Sequence, residues 1–154
     1  MKTVSREVPL AEIVLRRYEK PGNLGERELV KKLCLSVGLL QPGDSRDVVV
    51  DVLYVLLKQK KRKKAINCVE IEKKVKQSRK LHRLAMLGVA GSNVRRQLKR
   101  LREMNIIEKT GSAYRITENA DLSDTFEQRI EKFLLPNILG RVKDYFNKVD
   151  EVFP

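Results

Sequence analysis

Tryptophan is absent from this chain, and the other aromatics are few: four tyrosines and four phenylalanines, 5% of the residues. That scarcity weighs against a single-strand nucleic-acid groove, where successive bases stack on aromatic rings. There is one histidine, His82, and there are two cysteines, Cys34 and Cys68. The cysteines lie far apart with no close His or Cys neighbour, so neither a disulfide framework nor a zinc site is expected. Cys34, in an apolar helical stripe, reads as a buried free thiol. With no carboxylate pair, serine elbow or second ligand at suitable spacing, His82 reads as a surface or partly packed residue. The chain is therefore not expected to be an enzyme or to need a metal or cofactor. No apolar run approaches the ~18–20 residues that span a bilayer, and no internal repeat or low-complexity segment is found. The N-terminal Met-Lys-Thr-Val-Ser-Arg-Glu lacks the apolar stretch of a signal peptide, so a cytoplasmic, or nucleoid-associated, location is expected.

What is present in excess is positive charge. Lysines and arginines number 33 against 20 acids, a net of +13 over 154 residues. Between Lys58 and Lys109 the count is 18 against 4, whereas residues 1–57 hold nine against eight and residues 110–154 six against eight. The whole excess thus falls on the central third. A phosphate-backbone binder carries such a footprint, because each neutralised phosphate releases condensed counterions. The competing reading is a solvated basic surface that serves solubility.

Residues 90–117 sit inside that basic third. Gly91 and Ser92 read as a helix start, with the Ser92 hydroxyl as the N-cap. Val94, Leu98, Leu101 and Asn105 then share one face, opposite Arg96, Lys99, Arg100 and Glu103. The helix is expected to end near Met104–Asn105, where the period changes to two. Residues 106–109 and 113–117 read as strands joined at Thr110-Gly111-Ser112, glycine supplying the positive φ of a tight hairpin. A basic helix followed at once by a β-hairpin resembles the recognition helix and wing of winged helix-turn-helix domains. The resemblance implies a mainly α fold: a winged helix-turn-helix core over residues 44–120, an N-terminal helical extension over 1–43, and a C-terminal helical segment over 121–154.

Taken in order, Val8–Tyr18 reads as a helix with Pro9 in its first turn, although Ile13-Val14-Leu15 suits a strand equally. A second helix is expected from about Gly25 to Val37, with Gly38 as its stop. The turn at 41–44 marks the edge of the winged-helix module. Asp44 or Ser45 caps the next helix, and within residues 48–57 only Asp51 and Tyr54, with Asp47 just before them, are free to face water. A helix this apolar must be covered on more than one side. Lys61, Arg62, Lys63 and Lys64 form a basic run that suits phosphate contact. Ala65-Ile66 is the candidate third strand, and Asn67 caps a helix over Cys68–Lys76, with Val69 or Cys68, Ile71 or Glu72, and Val75 inward. Residues 77–89 then exceed the short turn usual in the family, and could continue the helix or form another. After the hairpin, 118–122 is a linker, Ser123 caps a helix, and Pro136 ends or kinks it. Ile138, Val142, Tyr145, Val149 and Val152 follow at heptad spacing, a seam for its own core or for a homodimer, with the dimer favoured.

The function implied is double-stranded DNA binding by a dimeric transcriptional regulator, the Ser92 helix entering the major groove. Ser92, Asn93, Arg95, Arg96, Lys99 and Arg100 are the groove candidates, with Arg96 and Lys99 pointing outward. Lys61 to Lys64, Lys73, Lys74 and Arg79 would meet phosphates, and Lys109 and Arg115 would serve the wing. RNA or ribosome binding, and a protein-binding scaffold in a replication or transcription assembly, are the alternatives.

Overall fold

The computed structural model describes residues 6–154. The chain forms two compact units, Val14–Leu122 and a smaller one made of residues 6–13 with Ser123–Pro154. The larger unit contains α1 (Glu26–Ser36), α2 (Val48–Lys60), β1 (Ile66–Asn67), α3 (Cys68–Leu81), α4 (Gly91–Glu103), β2 (Ile107–Thr110) and β3 (Ala113–Ile116). It is mainly helical, with one three-stranded antiparallel sheet in the order β1-β3-β2. The turn at 41–44 is a connection inside this unit.

The core is built around α2. Val48, Val49, Val50, Val52, Leu53, Val55 and Leu56 are all buried, and α1, α3, α4 and β3 pack around them. Burial on every side overrides the strand propensity of so many valines. Cys34 of α1 is fully buried here, and burial pushes its thiol up to about 12. Such a thiol stays protonated and inert.

Asp47 and Asp51 do not face water. One helical turn apart at the start of α2, they turn inward to two arginines. Arg27 of α1 donates from Nε and Nη2 to the Asp51 carboxylate, each at 3.0 Å, and from Nη2 to Asp47 Oδ2 at 3.0 Å. Arg79 of α3 donates from Nη1 to Asp47 Oδ1 at 2.8 Å and Asp51 Oδ2 at 2.7 Å. All four side chains are buried. The cluster ties α1, α2 and α3 together, and it explains why α2 starts where it does. Neither Asp44 nor Ser45 caps α2: the N-cap position is Asp47, with its side chain given to the arginines rather than to a cap, while Asp44 Oδ1 accepts from the Arg46 amide instead.

Residues 8–18 are not helical. The competing interaction is local to Arg16, whose amide donates to Ser36 O at 2.8 Å. Its guanidinium donates to Leu35 O at 2.8 Å, to Leu40 O at 3.1 Å, and to Gln41 Oε1. These bonds satisfy carbonyls at the end of α1 and hold the chain around Arg16 in a non-helical course. Val14 crosses directly over Gly38, which ends α1 at φ 75° and whose added Cβ would lie 2.7 Å from Val14 Cβ. Gly38→Ala therefore meets both a left-handed backbone and a clash. We expect it to cost about 1–3 kcal/mol in urea denaturation.

The sheet follows the expected pattern. Ile66 and Asn67 pair with Tyr114 and Ala113, and Thr110 faces Ala113 across the Gly111-Ser112 loop, with Gly111 at φ 63°. Gly111 has positive φ and Ser112 does not, which is the type II′ arrangement of a two-residue loop. Asn67 Oδ1 accepts from the Glu70 amide at 2.9 Å, capping α3. Ile71 and Val75 are its buried apolar residues, and Val69 is exposed.

In the C-terminal segment, helix begins at α5 (Leu122–Thr125), continues through a π-wound stretch (Phe126–Leu134) and runs on as α6 (Leu135–Val152). Ser123 thus lies within the first turn rather than capping it. Pro136 neither ends nor breaks the helix. Proline lacks an amide donor and crowds the carbonyl four residues back. The wider winding before it, with the Leu135 amide bonded to Ile130 O, relieves that crowding. Among the described residues no helix is long and apolar enough to cross a membrane.

Candidate nucleic-acid interface

The helix α4 divides into two faces. Val94, Leu98 and Leu101 are 0% exposed, each contributing about 2 kcal/mol by burial. Ser92, Arg95, Arg96, Lys99 and Arg102 are exposed. At 100° per residue these five span an arc of roughly 120° opposite the apolar stripe, and Glu103, also exposed, falls within it. Among the described residues no acid forms an ion pair with any of the four cations. Arg102 was not among the sequence candidates, although its spacing of seven from Arg95 and three from Lys99 places it on their face.

The helix starts differently from the sequence expectation. Its N-cap is Ala90, Gly91 is the first helical residue, and no side chain caps it. Ser92 is therefore exposed in the first turn instead of bonded to the backbone. At the other end Asn105 leaves the inward stripe, because at φ 62° it has already turned out of the helix. Its carbonyl accepts from Thr117 Oγ1 at 2.7 Å.

Four proposed contact residues are committed elsewhere. Arg79 is 2% exposed, and besides the two aspartates its Nε donates to Ala85 O at 2.7 Å. It orders the loop after α3 and cannot reach phosphate. Arg100 donates to Leu39 O at 2.6 Å and Gln97 Oε1 at 2.7 Å, tethering α4 to the segment after α1. Asn93 donates to Gly88 O at 2.7 Å and accepts from Gln97 at 3.0 Å, so its amide fastens the α3–α4 loop rather than an adenine edge. Arg115 pairs with Glu108 at 2.7 Å across the hairpin. Lys109, exposed, lies over the Tyr114 ring at 5.6 Å.

Helix α3 runs on to Leu81, and residues 82–90 form a loop. The expected insertion is thus divided between a longer helix and a non-helical connection. Arg83 (φ 57°) turns the chain, and Leu81 and Leu87 remain exposed. His82 Nδ1 lies 2.7 Å from Ser78 O, and its ring meets Tyr54 edge-on at 5.9 Å, so it closes the end of α3.

Strand register places the basic run. Chain direction in β1 leads towards the hairpin tip, since Asn67 pairs with Ala113. Lys61, Arg62, Lys63 and Lys64, which precede it, therefore lie at the opposite end of the sheet. Lys60 bonded to Asp121 at 3.2 Å agrees with this. At ~3.3 Å per residue, roughly 15 Å separates the run from the tip. Lys61 to Lys64 are exposed, as is Lys73, and Lys74 is half-buried. The structure thus joins Arg95, Arg96, Lys99 and Arg102 on one helix face and leaves the run apart from the Lys109 hairpin. No group of three or more His, Cys, Asp or Glu among the described residues is arranged to hold a metal ion.

These observations define the class of the molecule, a mainly helical protein with a small antiparallel sheet and one cationic helix face. No protein-family model, curated protein or solved structure matches the chain.

Proposed function

We propose that residues 44–120 form a winged helix-turn-helix, with α1 as an added core helix, and that the protein binds double-stranded DNA as a transcriptional regulator. The observation that carries this reading is α4: three core side chains with no exposure on one side, and four unpaired cations on the other. Support comes also from element order, since β1 lies between α2 and α3 and pairs with the returning strand of the hairpin. A helix so placed enters the major groove, where arginine bridges guanine O6 and N7 with two bonds. Arg96 and Lys99 are the leading readers. Arg95 and Arg102 flank them, and Lys109 on the hairpin meets the neighbouring backbone. Lys61 to Lys64 and Lys73 supply more distant phosphate contacts, which add affinity without sequence information.

Binding to a random duplex library at two salt concentrations tests this reading. Affinity should fall steeply with salt, and a preferred sequence should emerge. Arg96→Ala should then weaken binding to that sequence by roughly 1–3 kcal/mol and relax its preference. A variant that binds the selected and the random duplex as the wild type does would remove Arg96 from the reading set. Competition by structured RNA at matched salt separates the two polymers, and tighter binding to RNA would overturn the DNA assignment.

A further inference from the structure

Helix α6 contains no buried residue although it is 18 residues long and markedly amphipathic. Its apolar side is wider than the five-residue seam legible in the sequence. Val142 and Val149 occupy one column, and Ile138, Tyr145 and Val152 a second. A third column, Leu139 and Phe146, lies beside them, and Phe153 follows at the C-cap. Tyr145 and Phe146 are each 69% exposed, and Phe153 is 75% exposed. Side chains of these sizes leave an apolar patch on the order of 800 Å², the area one partner contributes to a stable complex. It exceeds what most monomers expose.

We infer that α6 pairs in parallel with α6 of a second copy of this chain, making a two-stranded coiled coil. The heptad supplies the occupant. With Val142 and Val149 at a and Ile138, Tyr145 and Val152 at d, the seam complements itself. Flanking positions supply the direction. In a parallel pair each g residue meets the partner's e residue five positions on, which brings Leu134 to Leu139, Arg141 to Phe146 and Lys148 to Phe153 of the second copy. The cationic side chains then lay their methylene stems and charge over aromatic rings. An antiparallel pair would instead set Arg141 and Lys148 against the same cations of the partner, with nothing acidic at those positions. The acids that the two cations do contact, Asp144 and Glu151, sit three residues on along the same helix and outside the seam.

The test uses the full chain and does not depend on nucleic-acid binding. Sedimentation equilibrium should give a dimer mass at micromolar concentration, and Val142→Asp with Val149→Asp should raise the dissociation constant at least 100-fold. A second variant guards against simple unfolding. Val149→Cys, at a position facing its own copy, should form an interchain disulfide under mild oxidation, whereas Asn147→Cys on the outer face should not. A monomeric wild type overturns the inference. So does a dimer that Val149→Cys fails to cross-link, or one that Asn147→Cys cross-links equally well.

Discussion

Asp51→Asn is expected to destabilise the larger unit by about 3–5 kcal/mol, measured by urea denaturation near neutral pH. Asp51 is fully buried and accepts from Arg27, Arg79 and Ser78. The amide matches the carboxylate in shape but supplies one acceptor oxygen in place of two, and no charge. Two buried guanidiniums would then share the single remaining carboxylate of Asp47. The penalty comes from stranded positive charge, so replacing the cluster as a whole with apolar residues should cost far less than this one substitution. If Asp51→Asn lowered stability by less than about 1 kcal/mol, the cluster would have to be more hydrated than its burial indicates.

The same cluster sets a dependence on acid. Burial alone pushes the Asp47 carboxyl up, but hydrogen bonds from Arg79 and then Arg27 outweigh it and hold the group below its ordinary value. A carboxylate depressed in the folded state stabilises above the unfolded pKa, about 3.9, and loses that contribution as pH falls through the lower folded value. Stability measured down a pH series should therefore decline from about pH 4 downward. In Asp47→Asn that part of the decline should be missing.

What was legible in the sequence was whatever depends on local period. Val94, Leu98 and Leu101 announced a buried stripe by spacing alone, Gly111 announced the hairpin, and Asn67 announced a cap that the Glu70 amide fills. What was not legible depends on partners distant along the chain. Arg79 looked like one more surface cation in a basic stretch, yet its acceptor Asp47 lies 32 positions earlier. Arg100 looked outward by its helical angle, yet it reaches Leu39 O, 61 positions away. Residues 8–18 have the spacing of a helix but are not helical, and the Arg16 guanidinium is bonded instead to carbonyls at and beyond the end of α1. Charge counts along a sequence therefore overstate the available surface. Arg27, Arg79, Arg100 and Arg115 are all committed inside the fold.

That correction sharpens the second large expected effect. Replacing Arg95, Arg96, Lys99 and Arg102 together with alanine should reduce duplex binding by a factor of 10³ or more at moderate salt, roughly 1 kcal/mol or more for each contact. Each lost phosphate neutralisation takes about 0.9 from the slope of log affinity against log salt, so up to three or four units should disappear. The fold should survive, because these four side chains are exposed and lie apart from the core formed by Val94, Leu98 and Leu101. Alanine also has the higher helix propensity. Replacing Lys61, Arg62, Lys63 and Lys64 instead removes the same formal charge from the opposite end of the sheet from the hairpin. If net charge alone drove association, both variants would lose affinity equally and the selected sequence would keep its rank in each. If α4 lies in the groove, the helix variant alone should lose its sequence preference, while the loop variant should bind every duplex less tightly by a similar factor. Measured side by side at one salt concentration, the two losses distinguish a reading surface from a merely basic one.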